Sequence, residues 1–243
     1  ARTRVKDFLT GTVKEDNIIY EQYYLPLKID SKVNDTYGVT TSVFAYDHNP
    51  SGNGSGYYVG RLKSKTETRQ AYGDSQPGKQ EYTYENNHIK TFKKWNRDNT
   101  EYLLETYAYD GFGNITGKTL SNSVDSQVRT TSSQYDPTGR FVIKRTDHLG
   151  LSTQITYTAI GQVLTETDPL GNTVKSSYDN WGKLLLTENS LLGKTVYNYD
   201  RDANDNVTVT TIEADGNISK ALTNKLGQVY KVTTKAFGQG QYV

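Results

Sequence analysis

Cysteine and methionine are both absent from the 243 residues of this chain, and tryptophan occurs only twice. The absence of cysteine excludes a disulfide framework and a thiolate metal site. No apolar run approaches the roughly 18 residues of a membrane-spanning helix, and no charged-then-apolar N-terminal segment predicts a signal peptide. Basic and acidic residues number 28 and 27 and are interspersed, so no basic surface favours nucleic acid as a partner.

Helical patterns are also scarce. No segment of about 12 residues has apolar residues at the helical spacing, whereas short runs rich in Thr, Val, Tyr and Ile alternate with turn residues, which is typical of strands. Hydrophobic residues make up 34% of the chain, and 20 residues are tyrosine. That composition favours a thin sheet over a thick core. The chain begins at Ala1 without a recognisable cap, so we expect it to be a piece of a larger protein.

A six-residue pattern, Tyr-Asp-x-x-Gly-x, recurs in the second half of the chain. It reads YDGFGN, YDPTGR and YDNWGK, with degenerate copies YTAIGQ and TNKLGQ and a longer copy YDRDANDN. Five of the copies begin, in chain order, at Tyr109, Tyr135, Tyr157, Tyr178 and Tyr199, which are 26, 22, 21 and 21 residues apart. A period of about 20 to 50 residues predicts a repeat architecture.

Each period contains a second turn. It reads DHLGL, DPLGN, NSLLGK and EADGN, and its glycines are Gly150, Gly171, Gly193 and Gly216. One period is therefore turn, strand, turn, strand. Connections this short join antiparallel neighbours, because a parallel crossover needs about a dozen residues or more. The sequence therefore predicts an all-β fold, an antiparallel β-hairpin meander.

Turn chemistry explains the residues that recur. Glycine supplies the positive φ angle that tight turns need, and aspartate accepts hydrogen bonds from the backbone amides ahead of it. Aromatic residues two apart, such as Tyr107 and Tyr109, share one face of a strand and predict rows of rings across the sheet. The predicted structural residues of the repeat turns are Tyr109, Asp110, Gly113, Tyr135, Asp136, Gly139, Gly161, Asp168, Gly171, Tyr178, Asp179, Gly182, Tyr199 and Asp200.

Three other kinds of site are weaker interpretations of the same regions. Catalysis by the repeated aspartates is disfavoured because they recur once per turn, whereas a catalytic carboxylate pair is normally unique. The oxygen-bearing residues Asp200, Asp202 and Asn204 match the start of a calcium loop, but Asp205 stands where that loop needs glycine. We prefer an expanded repeat turn there and predict no metal and no cofactor. Trp95 and Trp181 are candidates for stacking on sugar rings.

The Tyr-Asp-x-x-Gly turns, with Asp-Pro-Leu-Gly-Asn between them, resemble the Rhs or YD-repeat family. This family includes bacterial polymorphic toxins, the B and C subunits of insecticidal toxin complexes, and the teneurins of animals. The resemblance covers residues 107–232, roughly half of the chain. It implies a curved sheet that forms part of a spiral shell, which in the bacterial relatives encloses a toxic C-terminal segment. The Asp-Pro-x-Gly turns resemble the self-cleaving core of those shells only in that element, so we interpret them as ordinary turns.

We expect three regions. Residues 1–32 are a strand-like lead-in that belongs to a preceding module, residues 33–106 are degenerate YD repeats with a Gly/Ser-rich insertion, and residues 107–243 are regular YD/Rhs repeats. The resemblance implies a non-enzymatic wall segment of a large bacterial protein, secreted or at the cell surface. Its partners are then the remainder of its own polypeptide and a C-terminal effector. The alternative is a module at the cell surface that binds carbohydrate or a receptor. An enzyme is a third hypothesis, without a supporting motif.

Overall fold

The computed structural model describes residues 1–34, 38–236, 238 and 240. Within these residues the chain forms nineteen β-strands and one short 3-10 turn, Gly54–Gly56. No helix in the described part is long and apolar enough to cross a membrane. The strands, numbered β1 to β19 in chain order, are Arg2–Lys6, Val13–Tyr20, Pro26–Val33, Gly38–Asn49, Tyr58–Ala71, Asp74–Glu85, His88–Trp95, Tyr102–Tyr109, Ile115–Asn122, Arg129–Tyr135, Val142–Thr146, Ser152–Tyr157, Val163–Thr167, Thr173–Tyr178, Leu184–Asn189, Gly193–Arg201, Val207–Ile212, Ile218–Thr223 and Val229–Lys235.

The chain divides into two compact units, Ala1–Ser132 and Ser133–Val243. In the first unit, each strand from β1 to β9 pairs antiparallel with the next, and β10 begins by pairing with β9. In the second unit, β11 to β19 pair antiparallel in the same consecutive order. The predicted all-β hairpin meander is confirmed. The three regions expected from repeat regularity stay a prediction.

Neither unit has a thick hydrophobic core. Among the described residues, only Ile155 and Ser42 are buried, with 5% and 7% of their surface exposed. Each strand packs on the strands before and after it, so backbone ladders and cross-strand side-chain pairs must supply the stability. Threonine hydroxyls make such pairs, at 2.7 Å between Thr156 and Thr165.

Candidate functional site

The repeated turns close hairpins with a three-residue loop. At Asp168, the Gly171 amide donates to the Asp168 carbonyl at 3.0 Å, and the Asp168 amide donates to the Asn172 carbonyl at 2.9 Å. Gly171 has a φ angle of +88°, the left-handed conformation that this loop type requires at the glycine. The same two backbone bonds close the loops that begin at Glu21, Asp110, Asp147, Thr158, Asp179, Asp202, Glu213 and Asn224.

The aspartate side chain stabilises its own loop. Asp168 Oδ1 accepts hydrogen bonds from the amides of Leu170 and Asn172 at 2.9 and 2.8 Å, and Oδ2 accepts one from Asn172 Nδ2 at 2.8 Å. The Asn172 side chain and these amides lower the pKa of Asp168. Asp110 and Asp179 accept the same pair of amide bonds. Among the described residues, no three His, Asp or Glu side chains lie close enough to hold a metal ion.

Asp136 provides a test of this loop chemistry. The Thr138 hydroxyl and the backbone amides of Phe141 and Arg140 donate to its carboxylate and lower its pKa to about 2. Because the folded pKa lies below the ordinary value of 3.8, Asp136 stabilises the fold above about pH 4, and this contribution is lost as the pH falls through about 2. We expect Asp136→Asn to remove that part of the pH dependence. The measurement is the denaturation midpoint of the parent chain and of Asp136→Asn at each pH from 6 to 2. Parallel curves of midpoint against pH for the two proteins would contradict this expectation.

Six tyrosines that precede a loop each donate a hydrogen bond to the preceding hairpin. The ladder between β13 and β14 ends at the pair Thr165–Lys175, two residues short of Val163. The Tyr178 hydroxyl crosses this gap and donates to the Val163 carbonyl at 2.8 Å. Val163 lies opposite Tyr157, where the register of β12 and β13 shifts. The same bond, at 2.7 to 3.0 Å, joins Tyr46 to Pro26, Tyr84 to Leu62, Tyr109 to Ile89, Tyr157 to Val142 and Tyr199 to Leu184.

The residue before four of the six accepting carbonyls packs against a glycine of the next loop. Phe141 precedes Val142, and its ring stacks on Tyr157 with 5.0 Å between the ring centroids. A Cβ added at Gly161, in the loop after Tyr157, would lie 2.5 Å from Phe141 Cε1. Other pairs of covering residue and covered glycine are Leu25 with Gly60, His88 with Gly113, and Gln162 with Gly182. We call this unit the tyrosine joint: the tyrosine, the accepting carbonyl, the covering residue before it and the covered glycine.

We predict that Tyr178→Phe destabilises the chain by about 1 kcal/mol, because it removes one hydrogen bond and leaves a carbonyl without that donor. Urea denaturation measures this loss as a lower midpoint concentration, with an unchanged slope of the unfolding free energy against urea concentration. Tyr230→Phe is the control, because 57% of the surface of Tyr230 is exposed. Equal midpoints for the two variants would show that the hydroxyl bond adds nothing to the joint.

The longer copy at Tyr199 differs from its predicted arrangement. β16 continues through Asp200, which pairs with Thr208 in β17, and the loop begins at Asp202. Asp200 and Arg201 are therefore paired as part of the strand. Asp202 takes the first position of the loop, where the sequence pattern predicted Asp200. The Asp202 carboxylate already accepts N–H bonds from Asn204 and Asn206. A calcium ion would have to compete with these donors.

One hairpin contact has threonine in place of the tyrosine. Thr223 ends β18, and the ladder between β17 and β18 runs without a shift from Ile212–Ile218 to Val207–Thr223. This ladder reaches the loop, so there is no gap for a tyrosine hydroxyl to cross. The chain thus closes its hairpin contacts in two ways, with a complete ladder or with a tyrosine across a shortened one.

The two tryptophans lie in different surroundings. Trp95 lies in β7, where its indole N–H donates to Glu81 at 2.7 Å and the ammonium groups of Lys79 and Lys93 lie 5.3 and 5.1 Å from its ring centroid. Trp181 is at the tip of its loop, with 90% of its surface exposed. Of the two predicted sugar-stacking residues, only Trp181 presents an open ring.

Sequence reasoning missed one complete copy of the loop. Tyr20 is followed by a loop that begins at Glu21, in which Tyr24 takes the glycine position with a φ angle of +60°. The Pro26 carbonyl that follows accepts the Tyr46 hydroxyl. The signal was a tyrosine followed by an acid, but the absence of glycine obscured it. The lead-in segment therefore uses the same joint as the later repeats.

The sequence from 135 to 173 matches the family model of the RHS repeat. This segment contains the loops that follow Tyr135 and Tyr157 and the loop at Asp168. Residues 135–173 therefore carry an RHS repeat, the kind of repeat that the Tyr-Asp turns predicted. The resemblance predicted from the Tyr-Asp turns is confirmed, and the joint between Tyr157 and Val142 lies within the matched segment.

Two crystal structures contain a fold similar to that of this chain. TcdB2-TccC3-TEV matches with a TM-score of 0.63 and 15% identity, over 91% of this chain and 11% of that one. TcdB2-TccC3 without its hypervariable C-terminal region matches with a TM-score of 0.65 and 14% identity, over 94% of this chain and 12% of that one. The chain thus spans about a tenth of their length. Among curated proteins there is no significant match.

Proposed function

We propose that this chain is a non-enzymatic wall segment of a larger bacterial Rhs/YD-repeat protein, secreted or displayed at the cell surface. In this proposal the sheet is curved, forms part of a spiral shell, and encloses or presents a C-terminal effector. The observation that supports it best is the tyrosine joint. The most regular residues of the sequence are engaged in joining one hairpin to the next, which is the requirement of a wall built from repeats.

The similar structures support the larger context. Each is many times longer than this chain, so the chain corresponds to one stretch of a long repeat array. One of them was solved without its hypervariable C-terminal region, and the proposal places the effector of this protein in the corresponding position. The non-enzymatic part of the proposal would be contradicted if the chain turned over a substrate and a single His or Asp substitution abolished that activity.

Single cysteines can test whether the sheet encloses a space, because the chain has no cysteine of its own. Ser176 and Ser177 are neighbours in β14 and therefore lie on opposite faces of the sheet. In the complete polypeptide, with any cysteine outside these 243 residues replaced, we expect a bulky maleimide to label only one of Ser176→Cys and Ser177→Cys. A small maleimide, and the bulky one after denaturation, should label both. Equal labelling of both by the bulky reagent in the native protein would rule out an enclosing wall.

A second candidate function is the binding of carbohydrate or a surface receptor, favoured by the exposed ring of Trp181. A glycan array probed with the chain and with Trp181→Ala tests it. Leu170→Ala is a matched control, because Leu170 is also at a loop tip and has 87% of its surface exposed. A specific glycan signal lost only in Trp181→Ala would favour binding over a purely structural role.

A further inference from the structure

The Gly/Ser-rich insertion, residues 50–57, lies between β4 and β5 and interrupts a loop that carries a covered glycine. That glycine is Gly60, which has a φ angle of +82° and on which Leu25 packs. The tyrosine of the same joint is Tyr46. The insertion therefore lies inside a complete tyrosine joint, between its tyrosine and its glycine.

His48 closes the base of the insertion. In the uninterrupted loops the glycine amide donates to a backbone carbonyl, as Gly171 does to Asp168. The Gly60 amide donates instead to Nδ1 of the His48 ring at 3.0 Å, across 12 residues of the chain. A side-chain nitrogen thus replaces the loop-closing carbonyl. Unlike a carbonyl, an imidazole can take up a proton between about pH 5 and pH 8.

The contacts of His48 define which ring nitrogen carries the hydrogen. Because Nδ1 accepts the Gly60 amide, neutral His48 carries its hydrogen on Nε2. Nε2 lies 3.4 Å from Glu21 Oε2 in the loop of the preceding hairpin, and these two side chains have 16% and 13% of their surface exposed. The other oxygen of Glu21 accepts the Tyr23 amide at 2.9 Å. His48 therefore connects its own hairpin to the preceding one.

Two phenol rings complete the surroundings of the imidazole. The ring centroids of Tyr23 and Tyr46 lie 4.6 and 6.3 Å from that of His48. Burial and the Glu21 carboxylate raise the pKa of Tyr46 above the ordinary value of 10.0. Tyr46 therefore stays neutral throughout the range in which a histidine titrates.

The charged residues next to His48 and Gly60 in the chain have partners of their own. Asp47 pairs with Lys63 at 3.5 Å, and the Arg61 guanidinium lies 3.6 Å from the centroid of the Tyr58 ring. The charged group that His48 contacts is thus the carboxylate from the preceding hairpin.

We propose that His48 is a pH-sensitive closure of the insertion. A proton from solvent that binds the lone pair of Nδ1 turns this atom from an acceptor into a donor, so the bond from the Gly60 amide is lost. The positively charged ring then forms an ion pair with Glu21 through Nε2. Acidification exchanges a bond within the β4–β5 hairpin for a charge-assisted bond to the preceding hairpin, so the base of the insertion opens while the joint stays closed.

Amide exchange of the full chain from about pH 8 to about pH 5 tests this closure. The readout is the protection of the Gly60 amide, its exchange rate relative to that of an unstructured chain at the same pH. We expect the protection to fall about five- to tenfold, the loss that one hydrogen bond accounts for, in step with protonation of the His48 ring. The Gly171 amide, which donates to a carbonyl, should keep its protection. Unchanged Gly60 protection after the ring is protonated, or an equal loss at Gly171, would overturn the proposal.

Two asparagine variants identify the group that responds. His48→Asn places an amide oxygen near the position of Nδ1, where it accepts the Gly60 amide and takes up no proton, so Gly60 should stay protected as the pH falls. His148→Asn is the matched control, because His148 is exposed at a loop tip, and it should respond as the parent chain does. A loss of Gly60 protection in His48→Asn at the lower pH would assign the response to another group and refute the closure.

The ring nitrogens provide a readout that needs no variant. Nitrogen NMR of the parent chain should show the hydrogen of His48 on Nε2 at about pH 8, and hydrogens on both nitrogens at about pH 5. A hydrogen on Nδ1 at the higher pH is incompatible with the bond from the Gly60 amide and would also overturn the proposal.

Discussion

Gly161→Ala is expected to destabilise the chain far more than Gly171→Ala, although the two glycines have φ angles of +92° and +88°. In both variants an alanine in the left-handed region costs about 1 to 2 kcal/mol. At Gly171 the new Cβ has no atom within 4 Å, whereas at Gly161 it lies 2.5 and 2.8 Å from two ring atoms of Phe141. Moving this ring disturbs its stack on Tyr157 and adds about 1 to 3 kcal/mol of overpacking.

Chemical denaturation of Gly161→Ala and Gly171→Ala measures the two losses of stability. The double variant Phe141→Ala, Gly161→Ala tests whether the Phe141 ring causes the difference between them. Phe141→Ala removes the ring that the new methyl group would strike, so Gly161→Ala should cost about as much in that background as Gly171→Ala costs in the parent chain. The difference is a coupling free energy between the two positions. Equal losses for the two glycines, or no relief by Phe141→Ala, would refute the packing of covering residue on glycine.

The isolated segment 157–198 is expected not to fold. Only Ile155 and Ser42 are buried among the described residues, and neither is in this segment. A hairpin of this chain is stabilised through its neighbours. The segment holds β13, β14, β15 and most of β16, and strands without a buried face are marginal in water. Circular dichroism should show no cooperative thermal transition for the segment, whereas the full chain should show one.

The segment 135–198 is the matched control for this experiment. It restores Phe141 and Val142, and with them the joint that Tyr157 makes with the preceding hairpin. We expect it to gain strand content relative to 157–198. A cooperative transition in the shorter segment would mean that a repeat is stable by itself and that the joints contribute little.

The loops could be predicted from the sequence because their chemistry is local. Asp168 and Gly171 are three residues apart, and the bonds that close their loop lie within five residues. The longer copy shows the limit of this reasoning. The pattern placed Asp200 in the loop, but the pairing of Asp200 with Thr208 extends the strand, and a pairing between strands is decided by both of them.

The sequence by itself determined the repeat, the antiparallel hairpins and the resemblance to the Rhs/YD-repeat family, because the spacing of turn residues encodes all three. Only the tertiary structure showed why tyrosine precedes the loop. Its hydroxyl donates to a carbonyl 15 to 22 residues earlier in the chain, as Tyr178 does to Val163, and the gap that it crosses exists only when two hairpins lie side by side. A backbone carbonyl is present in every residue, so no side-chain pattern identifies the one that accepts this bond.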